Sequence, residues 1–144
     1  MAIKETYELF KEIKSKNCKV KNIQNFLASN NSAINEFCYD CNNYEAFGLT
    51  PLAYAARIGK YEVCQSLIDA GSDVNGKDES SNHSVLMYAA WSGHQEVVKL
   101  LLSKGADVKY VGRDGETVLV FRHSNSLSNP ALLSDLIEAG ADVN

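Results

Sequence analysis

Gly48-Leu49-Thr50-Pro51-Leu52-Ala53-Tyr54-Ala55-Ala56-Arg57-Ile58-Gly59 is written a second time, with changes, as Asn82-His83-Ser84-Val85-Leu86-Met87-Tyr88-Ala89-Ala90-Trp91-Ser92-Gly93. A third copy opens at Gly115-Glu116-Thr117-Val118-Leu119. Thr50, Ser84 and Thr117 stand 34 and then 33 positions apart. The closing phrases Ala70-Gly71-Ser72-Asp73-Val74-Asn75, Lys104-Gly105-Ala106-Asp107-Val108-Lys109 and Ala139-Gly140-Ala141-Asp142-Val143-Asn144 recur 34 and then 35 apart. Such a period marks a repeat architecture, in which no single copy can bury its apolar side and each must lean on its neighbour.

Within the copy that starts at Gly48, Thr50 can cap a helix and Pro51 suits its first position, where no amide donor is required. Gly59 ends that helix. A second helix follows from Tyr61 to Ala70, with Val63, Cys64, Leu67 and Ile68 as one apolar stripe and Gly71 as a left-handed C-cap. Val97, Val98, Leu101 and Leu102 repeat the stripe, as do Leu132, Leu133, Leu136 and Ile137. Paired alanines, Ala55-Ala56 and Ala89-Ala90, put the smallest side chains where helices must approach closely. Asp and Asn in the closing phrases suit turns, because their side chains bond nearby backbone donors.

A period near 33 with Thr-Pro-Leu and Gly-Ala-Asp-Val-Asn resembles the ankyrin repeat. The resemblance implies an all-α solenoid of about four helix-turn-helix repeats joined by projecting β-hairpin fingers, forming a single domain over residues 1–144. Residues 48–81, 82–114 and 115–144 read as repeats and residues 1–35 as a divergent capping repeat. That capping repeat has a helix from about Lys4 to Lys14 and a second carrying Val20, Ile23, Phe26 and Leu27. Residues 36–47 form an enlarged finger. The last repeat has Arg122 and His123 where earlier copies have alanines, and extra residues from Ser124 to Pro130, so its first helix is expected to be short or shifted. The stop at Asn144, where a further finger would begin, suggests a piece of a longer chain.

Composition narrows the partners. With 144 residues, 45% of them hydrophobic, there is material for one core, and the net charge of −4 disfavours a nucleic-acid partner. The N-terminal lysines from Lys4 to Lys21 are interleaved with Glu5, Glu8 and Glu12 and read as a solvated face. No run of eighteen apolar residues is present for a membrane span, and Met1-Ala2-Ile3-Lys4-Glu5 lacks a signal-peptide core. Four irregularly spaced cysteines suit a reducing, cytoplasmic setting.

Motifs for chemistry are sparse. Cys38-Tyr39-Asp40-Cys41 has the two-residue gap of a zinc half-site, but four ligands are needed, and a histidine would have to complete it. Gly112-Arg113-Asp114-Gly115 lacks the strand and the lysine of a phosphate loop. We therefore expect no enzyme, no metal and no cofactor. His94, in the Gly-His of the pattern, reads as a structural hydrogen-bonding residue.

The resemblance implies a protein or peptide partner bound on the concave face and finger tips. The corresponding positions are Arg57, Ile58, Trp91 and Ser92, with His83, Tyr110 and Arg113 on the fingers. Trp91, the sole tryptophan, is the expected anchor. Lys77, Asp78, Glu79, Ser80, Asp114 and Glu116 are expected to form a polar rim, and Tyr54, Tyr88 and Phe121 to pack inward. Asn75 and Asn144 match hairpin asparagines that are hydroxylated in some members of the family. The expected role is an adaptor or scaffold acting as a monomer. Asn and Lys are abundant and Arg is scarce; that bias and the abrupt end suggest the alternative, the targeting arm of a longer enzyme or of an effector secreted into a host cell.

Overall fold

The computed structural model describes residues 2–39, 45–119 and 129–141. Seven α-helices occur among them: α1 (Ala2–Lys14), α2 (Val20–Ser29), α3 (Pro51–Ile58), α4 (Tyr61–Asp69), α5 (Val85–Trp91), α6 (Gln95–Ser103) and α7 (Pro130–Glu138), with a 3-10 turn over Asn31–Asn35. They stack in two layers. First helices α1, α3 and α5 pack in sequence along one side, and α2, α4, α6 and α7 along the other.

Local chemistry accounts for the helix ends. Thr50 Oγ1 accepts the Ala53 amide at 3.3 Å, and Ser84 Oγ accepts that of Met87 at 3.2 Å. Gly59 closes α3 with φ +78°, and a Cβ there would stand 2.5 Å from the His94 ring. That ring is held by Nε2, 2.9 Å from the Arg57 carbonyl oxygen. Because a carbonyl only accepts, Nε2 carries the proton, and His94 joins the second repeat to the third as a structural residue.

Every second helix sends its stripe into one core. Val63, Cys64, Leu67, Val97, Val98, Leu101, Leu132 and Leu136 are all buried, and the four paired alanines are fully so. Burying each leucine stabilises the fold by about 1.5–3 kcal/mol, on the area-transfer scale. The third stripe differs on its outer side, where Leu133 and Ile137 of α7 are 37% and 44% exposed. In the N-terminal pair, Leu9, Phe10 and Ile13 of α1 and Ile23 and Leu27 of α2 supply the same core. Lys60 ties that pair to the next one, its Nζ donating to the carbonyls of Ile13 and Ser15 at 2.6 Å each.

The closing phrase has two jobs. Asp73 Oδ1 accepts the Asn75 amide at 2.9 Å and Asp107 Oδ1 that of Lys109 at 3.0 Å, which are the expected local turns. The asparagines instead reach across repeats. Asn35 Oδ1 accepts the Asp73 amide at 3.0 Å; Asn75 Oδ1 accepts that of Asp107 at 2.8 Å, and its Nδ2 donates to Gly105 O at 3.3 Å. The amide of Asn75, the position matched to family hydroxylation, is thus committed to the following repeat.

The fingers are tighter than extended hairpins. Among the described residues, pairing is limited to isolated bridges, Cys38 with Phe47 and Lys77 with Ser84. Asp78 N donates to His83 O at 3.0 Å, and Asn82 turns the chain with φ +59°, which ends regular pairing after one step. Remaining backbone donors go sideways to the neighbouring finger, Glu79 N to Gly48 O at 3.1 Å and Arg113 N to Ser81 O at 3.2 Å. The enlarged finger is closed at its base by Cys38 N to Leu49 O, 2.9 Å, and Gly48 N to Cys38 O, 2.7 Å. The stretch expected to hold the first helix of the last repeat, with Phe121, Arg122 and His123, lies outside the described residues, as do Cys41 and Asn144.

Candidate functional site

The ends of α3 and α5 and the loops beside them carry the residues singled out for binding. Ser84 begins α5 one residue after His83, so the helix start fixes where the imidazole stands. Tyr88 and Trp91, one turn apart on α5, present their rings to it. His83 and Trp91 meet edge to face with centroids 4.7 Å apart at 81°, and Tyr88 lies 6.0 Å from His83 and 6.2 Å from Trp91. These three rings form one half-buried group.

Two carboxylates frame the histidine. Asp78 Oδ2 is 3.7 Å from His83 Nδ1 and Glu116 Oε1 is 3.4 Å from Nε2. Both acids were expected on the polar rim, and there Asp78 is only 3% exposed and Glu116 6%. Their burial follows from their partners. Asp78 takes the Ser81 amide on Oδ1 at 2.7 Å and the Tyr88 hydroxyl on Oδ2, and Glu116 Oε2 takes the Asp114 amide at 3.1 Å. Burial and then the hydrogen bond to Asp78 push the Tyr88 phenol well above its ordinary range, so it stays a donor. Glu116 is held below the usual carboxylate range by its own backbone amide, then by His83 and the Asp114 amide, against the effect of burial. Tyr88 was expected to be a packing residue only, and its hydroxyl departs from that.

Trp91 is turned inward more than an anchor needs to be. Its indole N–H is buried and has no acceptor among the described residues, and the ring packs against the core. The other expected contact residues also do internal work. Exposed Arg57 donates Nη1 to Glu45 O at 2.6 Å, linking α3 to the enlarged finger. Exposed Arg113 donates Nη1 to Ser80 O at 2.6 Å, linking the third finger to the second. Half-buried Tyr110 receives Lys77 Nζ 4.5 Å above its ring. Ile58 and Ser92 are half-buried at the ends of α3 and α5, Ile58 against the core. Each guanidinium has further donors beyond the one that holds a carbonyl.

Cys38, the described half of the Cys-x-x-Cys pair, is turned into the core at 2% exposure. Among the described residues, no group of three or more His, Cys, Asp or Glu could hold a metal ion, and no helix is long and apolar enough to cross a membrane. Sequence reasoning did not find the Asp78–His83–Glu116 line. The available signal was Asp78 three residues before Ser81, the spacing at which a carboxylate caps its own turn.

Residues 2–111 match the family model for ankyrin repeats, in three copies. The match covers α1 to α6 and leaves α7 outside it. No curated protein matches the chain.

Proposed function

This chain belongs to the ankyrin-repeat family, and on that premise we propose that it is a non-catalytic adaptor which holds a partner protein or peptide along its fingers and first-helix ends. Ankyrin repeats are generally protein–protein interaction modules. The observation that carries the reading is the sideways bonding of neighbouring fingers, Glu79 to Gly48 and Arg113 to Ser81. A surface stitched in this way loses little conformational freedom when a partner lands, so more of the contact energy appears as affinity. Arg57, Ile58, Trp91, Ser92, His83, Tyr110 and Arg113 are the contact residues, with the edges of Trp91 and His83 as a rigid centre and the spare guanidinium donors at its border. The protein acts as a monomer in the cytoplasm. Service as the targeting arm of a longer enzyme, or of an effector secreted into a host cell, is the alternative setting for the same surface.

Trp91→Ala would lose core packing along with any partner contact, so Ser92→Arg is the cleaner variant. It places a long cation on a half-buried helix end without removing core volume. Affinity capture from the native cell should recover a partner with the wild type and with Gln65→Arg, a change on the exposed side of α4. Ser92→Arg should lower the affinity at least about tenfold. Equal capture by all three proteins would move the binding surface elsewhere.

A further inference from the structure

Asn75 is the one asparagine in the chain that is followed by glycine. That dipeptide is chemically labile, because Gly76 has no Cβ to screen its own nitrogen. Once hydroxide takes the Gly76 amide proton, the nitrogen can attack Cγ of the Asn75 side chain. A Cγ–N bond forms, the Cγ–Nδ2 bond breaks, and Nδ2 takes a proton from water and leaves as ammonia. Water then opens the five-membered imide at either carbonyl, giving aspartate or isoaspartate at position 75.

The fold holds both reacting groups out of position. Asn75 Oδ1 accepts the Asp107 amide at 2.8 Å and Nδ2 donates to Gly105 O at 3.3 Å, so the side-chain amide is fastened to the third repeat. The Gly76 N–H is given to Asp73 O at 3.0 Å within its own turn, and Gly76 O accepts the Val85 amide at 3.2 Å. An amide proton seated on a carbonyl is hard to remove, since its loss would set two electron pairs face to face. Asn75 is exposed and Gly76 half-buried, so water reaches the site and it is the hydrogen bonds that withhold the reaction. Ring closure requires the side-chain bonds and the Gly76 bond to break together.

Two of those bonds end on the third repeat, which makes its junction with the second repeat the gate. We infer that Asn75-Gly76 is a modification site which deamidates, without an enzyme, only when that junction opens. The equivalent positions lack the chemistry: Asn35 bonds Asp73 N in the same way but is followed by Glu36, and Lys109 replaces asparagine in the next copy. Conversion runs one way. Aspartate at this position has no proton for Gly105 O and turns a charge towards that carbonyl, and isoaspartate also lengthens the backbone by one carbon. A stack that has once opened here therefore closes less well afterwards. This inference does not depend on the protein-binding reading.

Ageing the whole chain at mildly alkaline pH tests it, with mass and chromatography of the tryptic peptide 61–77, which contains no other asparagine. Deamidation should run at least about tenfold slower in native buffer than in denaturing urea. Below the unfolding midpoint its rate should rise with urea on a slope well under that of global unfolding, as a local opening does. His94→Ala removes another tie between the second and third repeats and should speed the reaction several-fold, more than Lys60→Met, which loosens the first junction instead. Should His94→Ala fail to fold, the urea series on the wild type decides alone. Equal rates in native buffer and urea, or a rate that follows global unfolding, would overturn the gate. Aspartate without isoaspartate would mean direct hydrolysis and remove Gly76 from the reaction.

Discussion

Replacing Lys60 by methionine keeps the aliphatic stem and removes the ammonium that closes the end of α1. In the wild type, Nζ lies 2.6 Å from both the Ile13 and the Ser15 carbonyl oxygens; the first is among the acceptors a helix C-terminus leaves unpaired, and the second also takes the Cys18 amide at 3.1 Å. A hydrogen bond from a charged donor is worth about 1.5–3 kcal/mol net, and a cation at a helix C-terminus adds about 0.3–1 kcal/mol. Lys60 is only half-buried and water can re-solvate the two carbonyls, so we take the low end, a total loss of about 2 kcal/mol. With a urea slope of about 2 kcal/mol/M, the unfolding midpoint should fall by about 1 M at unchanged slope. Hydrogen exchange in α1 should quicken more than in α5 and α6, because the tie joins the first repeat to the second. A midpoint within about 0.2 M of the wild type, or equal quickening everywhere, would refute the view that the repeats are pinned together by such ties.

Asn75→Ala removes one acceptor and one donor that bridge to the next repeat, at 2.8 and 3.3 Å. It should cost about 1–2 kcal/mol in urea unfolding, since each neutral bond contributes about 0.5–1.5 kcal/mol. Cys64 sets an alkaline limit, because burial pushes its thiol up to about 12 from the usual 9. Its stabilisation is complete below pH 9 and is lost as pH rises towards 12, because only the unfolded chain releases the proton in that window. From pH 9 to 10 the wild type should therefore lose about 1 kcal/mol that Cys64→Ala does not, by denaturant titration at each pH.

Periodicity made the scaffold legible. Thr50, Pro51 and Gly59 act as local signals that need no knowledge of the rest of the chain, and the stripes of α4, α6 and α7 report a buried side by spacing alone. Contacts between repeats were much less legible. Asn75 looked like a turn former, and nothing in the sequence around it or around Asn35 tells which backbone group 32 or 38 positions away they will meet. Asp78 and Glu116 were expected on a polar rim; the Ser81 amide and the Tyr88 hydroxyl supplied the donors that bury the first, and the Asp114 amide helps to bury the second. Trp91 was chosen for its chemistry and position, but the direction of its N–H depends on His83 and Tyr88 packing around it. Phe37, Tyr39 and Phe47 were visible as part of an insertion, while their edge-to-face grouping arose only when the Cys38–Phe47 bridge brought the finger's ends together.

The account stands or falls on which side of the stack a partner covers. Hydroxyl-radical footprinting of the whole chain with and without its captured partner reads that directly. Protection is predicted at Phe37, Tyr39, Phe47, His83, Trp91 and Tyr110, with Tyr61, Leu102 and Leu133 unchanged. Protection of Tyr61, Leu102 and Leu133 with unaltered labelling of the fingers would contradict it.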